Sequence, residues 1–279
     1  MSKSSKKDVD FEILVSTMHR TSLSFLKPMF QNLQLEDYHI LIINQTTPDK
    51  LLESSHDNIR VVNSFERGLP NSRNLAIKHA IGKICLVADD DVIYVNNLSN
   101  IILEAYQKYT DADIVTFKMT DFDGNEFRDY KPTVIHDKKS IFTVNSVVIT
   151  FNRDSLINQL VEFNPNFGLG AEFKTANEYV FLRNALKSNL KLYFQPKIIL
   201  SHPAFSSGQD SASDTLIYAR AALFYKYSGS LAYFRLIKQL YLLIQLKQLK
   251  AKLFLPKFKV GRSGISRYKQ LLKEGLETR

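Results

Sequence analysis

The apolar run Lys83–Ala88 (KICLVA) opens directly onto three consecutive carboxylates, Asp89, Asp90 and Asp91. A run this short, ending so sharply, reads as a buried strand that delivers its charges to one end of a sheet. Similar runs are Phe11–Thr17 (FEILVST), Tyr38–Asn44 (YHILIIN), Ile59–Asn63 and Ile114–Phe117. Between them, residues 21–34, 70–81 and 95–109 carry helical spacing. Strands alternating with helices require crossover connections, which predicts an α/β fold with a mostly parallel sheet covered on both faces. Ligands gather at the carboxyl ends of the strands in such sheets. Here those ends carry Ser16, Thr17, Asn44 and the three acids.

Three adjacent carboxylates repel one another unless a cation neutralises them. A divalent ion held there could bridge the acids to a nucleotide diphosphate. An acidic turn beside a helix N-terminus would present the same letters, and the triplet alone does not separate the two readings. Beyond 121 the pattern changes. DFDGNEF reads as a turn, 141–151 alternates like a strand, and FGLGAEFKT at 167–175 is a glycine-rich loop. A helix at 177–188, a strand near 191–200, His202-Pro203 and a small polar stretch follow. That stretch, 206–214, reads as a mobile loop.

The positive charge is concentrated at the end of the chain. Residues 235–279 hold 12 Lys/Arg and two acids, while the rest holds 25 bases against 26 acids. A nearly neutral body argues against a nucleic-acid partner. The stretch 215–255 reads as helical, with Tyr233, Ile237, Leu240 and Ile244 on one side and Arg235, Lys238 and Lys250 roughly opposite. Charges interrupt it too often for a membrane span. It fits an interfacial helix on anionic lipid, or a helix packed on the body with a solvated basic face. The opening MSKSSKKDVD lacks the apolar core of a signal peptide, and Cys85 alone cannot form an intramolecular disulfide. The expected location is the cytoplasm, peripheral at the inner face of the cell membrane.

The stretch ERGLPNSRNLAIKHAIGKICLVADDDV resembles the nucleotide-sugar region of family 2 glycosyltransferases, which have the GT-A fold. The resemblance is carried by Gly68, Ser72-Arg73-Asn74, Gly82 and Asp89/Asp91. A second stretch, FGLGAEFKTANEYVFLRNALKSNLKLYFQPKIILSHP, resembles the acceptor-side region of the same family, and together they cover residues 11–203. The resemblance implies a GT-A domain over 8–205, with a donor half to about 118 and an acceptor half after it, then the loop and a basic helical tail at 215–279. It implies single-sugar transfer with inversion from a nucleotide-diphosphate sugar, most simply a UDP-sugar. Mg²⁺ or Mn²⁺ would sit on Asp91 with Asp89 nearby, and His202 would complete the shell or touch the diphosphate. Ser16, Thr17, Asn44, Arg73, Asp89 and Asp90 would line the donor site, and Arg220 would approach the diphosphate. Many members carry an acid where Asn44 stands. Glu178 takes the place of the base, with Glu172 as its rival because Ala176-Asn177 replaces the usual Gly and first acid. The acceptor implied is a growing glycan, lipid-linked given the basic tail, in bacterial capsule, exopolysaccharide or lipopolysaccharide assembly. A non-catalytic, membrane-bound scaffold that keeps the fold is the alternative.

A processive synthase of this fold should show Q-x-x-R-W and membrane spans, but the chain has no Trp. A sugar nucleotidyltransferase should open on a glycine-rich phosphate loop, whereas the first strand leads into STMHRTS. No G-x-S-x-G elbow marks a serine hydrolase.

Overall fold

The computed structural model describes residues 9–130, 133–203 and 211–277. The chain forms two compact units, one comprising residues up to 164 with 177–204, the other 165–176 with 205–279. The glycine-rich loop thus groups with the C-terminal helices rather than with the acceptor half in which its sequence position placed it.

The first unit is a mixed eight-stranded sheet with flanking helices, consistent with the GT-A fold. Its strands are β1 (Val9–Met18), β2 (His39–Gln45), β3 (Ile59–Ser64), β4 (Gly82–Asp89), β5 (Ile93–Tyr94), β6 (Ile114–Thr120), β7 (Ile149–Asn152) and β8 (Leu192–Ser201). They lie in the order β3-β2-β1-β4-β7-β6-β8-β5. The first four are mutually parallel, β7 runs antiparallel to β4 and β6, and β5 antiparallel to β8. Consecutive positions are buried in Ile13–Val15, Ile40–Ile43 and Ile84–Ala88, as strands covered on both faces require. At the far end of β1, buried Glu12 accepts from the backbone of Ile81 and Gly82 and pairs with Arg60 at 2.6 Å. A Cβ at Gly82 would stand 2.5 Å from that of Glu12, which is why glycine opens β4.

Two expected elements differ. The helix expected over 21–34 shrinks to a 3₁₀ turn and one turn of helix, α1 (Leu26–Met29). Phe25, Leu26, Met29 and Phe30 keep a helical burial pattern, but over one turn only, around Pro28, which cannot serve a helix interior. The strand expected over 141–151 forms only at Ile149–Asn152. Residues 140–148 make two 3₁₀ turns, because Ile141, Val144 and Val147 are buried at a spacing of three, not two. The remaining helices of this unit are α2 (Leu69–His79), α3 (Leu98–Lys108), α4 (Arg153–Asn158) and α5 (Asn177–Lys187).

In the second unit the stretch expected as helical divides into α6 (Asp214–Ser228) and α7 (Ala232–Gln245), followed by α8 (Phe254–Lys273). Gly229, at φ 55°, provides the left-handed residue that ends α6. On α8, a Cβ at Gly264 would lie 2.2 Å from the carbonyl oxygen of Tyr218, so the missing side chain lets α8 approach the α6 backbone. The buried side of α7 is Ala232, Leu236, Leu240 and Leu243, so of the expected stripe only Leu240 is fully inside. Leu231, Phe234, Tyr241, Leu242 and Leu246 are exposed, Phe234 by 71%. No described helix is long and apolar enough to cross a membrane. Of the expected loop, residues 206–210 lie outside the described residues.

Lys226 and Glu277 form a buried ion pair at 2.8 Å, and Asn166 donates to the carbonyl of Leu276. Removing one partner leaves the other charge buried. Lys226→Met should therefore cost about 3–5 kcal/mol, read as a lower urea midpoint by far-UV circular dichroism. An unchanged midpoint would mean that Glu277 reaches water.

Candidate active site

Strand register sets the floor of the site. Ser16 pairs with Asp89, Thr17 with Asn44, and Asn44 with Asn63, so the ends of four parallel strands stand in one row. From this row the three acids part to different partners. Asp89 pairs with Arg73 at 3.0 Å. Asp90 accepts from the Thr17 hydroxyl at 2.5 Å and pairs with Arg20 at 2.7 Å. Asp91 faces His202 Nε2 at 3.5 Å and is half exposed. The pairing of β5 with β8, Ile93 opposite Ser201, brings these last two together. Burial raises the Asp91 pKa, Asp89 and Asp90 add to it, and His202 opposes. The Nδ1 of His202 lies 2.8 Å from the carbonyl of Pro203. A carbonyl can only accept, so Nδ1 carries the proton and Nε2 is the atom turned to Asp91.

Arg73 joins the two sides of the site. It is 3% exposed and donates to Asp89, to the Ser146 hydroxyl at 2.9 Å and to the Asn177 carbonyl oxygen at 2.7 Å. Its buried Nε has no hydrogen-bond partner among the described residues. The helix that carries it is seated by its neighbours. Gln45 donates to the carbonyl of Gly68, Ser72 to Ser16, and Asn74 makes a two-way pair with the backbone of Phe163. The Ser72-Arg73-Asn74 cluster thus contributes one fixed charge and, on either side of it, an anchor.

Asn44 is fully buried. Its oxygen accepts from the Arg20 amide, and its nitrogen donates to the Arg20 carbonyl and to Asn63. An aspartate there could accept but not donate, and would face two acceptor oxygens. The departure from the family pattern at this position therefore matches the local hydrogen bonding. The motif pattern of the sequence singles out neither Arg20 nor Asn63, and Asn177 stands out there only as a departure from the usual acid. Arg20 carried a usable signal, a base just past β1 opposite an acidic turn.

Glu178 stands in the first turn of α5, part-buried. Burial raises its pKa, Asp89 pushes the same way, and Arg73 and Arg128 lower it. The structure thus gathers Thr17, Asp90 and Arg20; Arg73, Asp89, Asn177 and Glu178; and Asp91 with His202. Glu172 belongs to the second unit, where the Tyr218 hydroxyl donates to it at 2.6 Å and Arg267 pairs with it at 3.3 Å. Arg220 lies on α6 of that unit, and burial lowers its pKa.

No group of three or more His, Cys, Asp or Glu side chains is assembled for a metal among the described residues. Mg²⁺ and its like need fewer, since one or two carboxylates suffice when substrate phosphates supply the rest. Asp91 meets that sparse requirement, and His202 Nε2 stands beside it as a candidate nitrogen ligand.

The sequence matches the family model for glycosyl transferase family 2 over residues 13–180, more than half of the chain. The chain belongs to glycosyl transferase family 2. The family match takes in Ser16, Thr17, Asn44, Arg73, the three acids and Glu178, while His202 and Arg220 lie beyond it. A search of curated proteins by sequence finds no match. Among solved structures, S. aureus TarS is similar at 15% identity and a TM-score of 0.55, over 95% of this chain and 55% of TarS. This chain therefore spans about half the length of that protein. TarS 1–349 in complex with UDP (14% identity, TM-score 0.53) and with UDP-GlcNAc (14%, 0.55) each match over 97% of this chain and 93% of theirs. At such identity the likeness establishes the fold.

Between the ordinary carboxylate pKa and the raised one of Glu178, the folded chain keeps a proton that the unfolded chain has released. Stability therefore falls as pH rises through that window. Glu178→Gln should match the wild type near about pH 4 and gain in melting temperature as pH rises toward about pH 8. Parallel melting curves across that range would mean that Glu178 titrates as if in water.

Proposed function

We propose that this family 2 chain transfers a single sugar, with inversion, from a UDP-sugar to a hydroxyl of a growing glycan. The observation that carries the reading is the parting of Asp89, Asp90 and Asp91 to separate partners around the strand ends, with Asn177, the residue before Glu178, linked to Asp89 through Arg73. A carboxylate pushed upward by burial, with Arg73 and Arg128 near enough to oppose that shift, suits removal of a proton from an attacking hydroxyl. The UDP and UDP-GlcNAc complexes of TarS support this donor class.

Asp91 and His202 would hold Mg²⁺ or Mn²⁺, with Asp89 beside them, and such an ion supplies positive charge where the diphosphate departs. Thr17, Arg20 and Asp90 would bound the donor, while Ser16 and Asn44 support them from below. Glu178 would accept the proton of the acceptor. Glu172 is the weaker choice, since its carboxylate is committed to Tyr218 and Arg267.

Calorimetric titration of UDP and GDP with Mn²⁺ and with chelator, on wild type, Asp91→Ala and Glu178→Gln, tests the site. UDP binding should need the metal, fall at least about tenfold in Asp91→Ala, and persist in Glu178→Gln. Transfer from UDP-GlcNAc should vanish in Glu178→Gln. Absence of nucleotide binding under every condition would favour the scaffold reading.

The acceptor side of the proposal is a lipid-linked glycan at the cytoplasmic face of the membrane, in capsule, exopolysaccharide or lipopolysaccharide assembly. Exposed Phe234, Tyr241 and Leu242 on α7 lie among Arg235 and Lys238, and no acid occurs between Asp214 and Glu274. Aromatic and aliphatic side chains amid bases suit an anionic lipid surface. Deleting the tail would expose the core residues of the second unit, so exposed point substitutions are the cleaner probe. Phe234→Ser with Tyr241→Ser should lower flotation with phosphatidylglycerol vesicles by about tenfold or more at an unchanged melting temperature. Unchanged flotation would remove this face from the proposal.

A further inference from the structure

Phe142 is 74% exposed although its neighbours Ile141 and Val144 are buried. Its ring meets Tyr179 edge-on, with centroids 5.7 Å apart. Tyr179 directly follows Glu178 on α5, and its hydroxyl accepts from Arg183 at 2.8 Å. An aromatic pair thus stands beside the proposed base, one ring open to solvent. Sugar rings present apolar C–H faces, and flat aromatic surfaces of this kind receive them.

A second observation lies on the segment after β6. Arg128 is exposed and forms no ion pair with any described residue. Among the neighbouring acids, Asp121 accepts from the Asp123 and Asn125 amides, Glu126 is paired with Lys118, and Asp129 is exposed without an ion pair to Arg128. Arg128 donates to Asn145 at 3.3 Å. The next residue, Ser146, accepts from Arg73, which in turn holds Asn177 at the start of α5. Phe127, before Arg128, packs edge-on against His202 at 5.6 Å. The segment is thereby tied to both sides of the site, and the charge of Arg128 reaches Glu178. A neutral acceptor hydroxyl has no need of a fixed guanidinium, whereas a carboxylate or phosphate can take two parallel hydrogen bonds from one.

We propose that Phe142 and Tyr179 form the stacking wall, and Arg128 the charge-reading group, of an acceptor subsite for a sugar unit that bears an anionic substituent. The subsite rests on the transferase reading for its role, but not for its binding chemistry. Arg128 would select the substituent, and the aromatic wall would orient the ring so that its free hydroxyl faces Glu178.

Saturation-transfer NMR on the full chain, with methyl β-D-glucuronoside, methyl β-D-glucoside, glycerol phosphate and glycerol, tests this directly. In the wild type at least one anionic probe should bind about tenfold better than its neutral partner. The stronger pair then distinguishes carboxylate from phosphate. Arg128→Ala should abolish that preference, and Phe142→Ala should weaken the glycosides but not glycerol phosphate. Both positions are exposed, and melting curves verify the fold. Equal response to charged and neutral probes, a preference that survives Arg128→Ala, or silence from all four probes would overturn the subsite. UDP titration of the same samples separates the two readings. Absence of an anionic preference in the wild type, with UDP binding intact, defeats the subsite alone. Absent UDP binding with the preference intact defeats the transferase reading alone.

Discussion

Burying a guanidinium is unfavourable unless its charge and donors are matched. Arg73 is matched by Asp89 at the end of β4, by Ser146 in the 3₁₀ segment and by Asn177 at the start of α5. These partners come from three separate elements, and Asn177 lies 104 residues along the chain from Arg73. The arrangement needs α2 at the right height, which Gly68, Ser72 and Asn74 secure through bonds to Gln45, Ser16 and Phe163. It also fixes which way the first acid points, leaving Asp90 to Arg20 and Asp91 to His202. Repulsion within the triplet is thus relieved by turning each carboxylate toward a different positive or polar neighbour.

The second unit solves a different problem. It carries most of the chain's excess positive charge, yet builds a core from Ile217, Ala221, Leu236, Leu240 and Ile265. Glycines at 261 and 264 let its helices approach closely, and the buried Lys226–Glu277 pair ties Glu277 to α6. The basic side chains are therefore displayed by a folded element with its own interior.

Much of this could be read in the sequence because strand ends are defined by an abrupt change from apolar to polar residues. That change located Ser16, Thr17, Asn44 and Asp89 to within a residue of where the register pairs them. What could not be read was direction. Nothing in the letters DDD says that each acid faces a different partner, or that Asn44 spends its amide on Arg20. The error at 141–151 has a similar origin, since apolar residues spaced by three sit among others spaced by two, and only tertiary burial decides between them. Glu172 and Glu178 are six residues apart in one loop-helix passage, yet they belong to different units, a division set by the packing of Phe167, Phe173 and Tyr268 rather than by local pattern.

The geometry at Arg73 also bears on how such a chain can drift. An ammonium in its place would keep the charge but not the planar fork that spans three elements. Position 73 is therefore closed even to the substitution usually considered mildest. Asn177 contributes a neutral oxygen where the family resemblance leads one to expect an acid, so it takes a hydrogen bond from Arg73 without drawing on its charge. A change to glutamate there would divide one positive charge between two acids and loosen the hold on Asp89. The row of strand ends and the start of α5 are in this sense not separate modules: a change at position 177 disturbs the hold on Asp89 unless both sides change together.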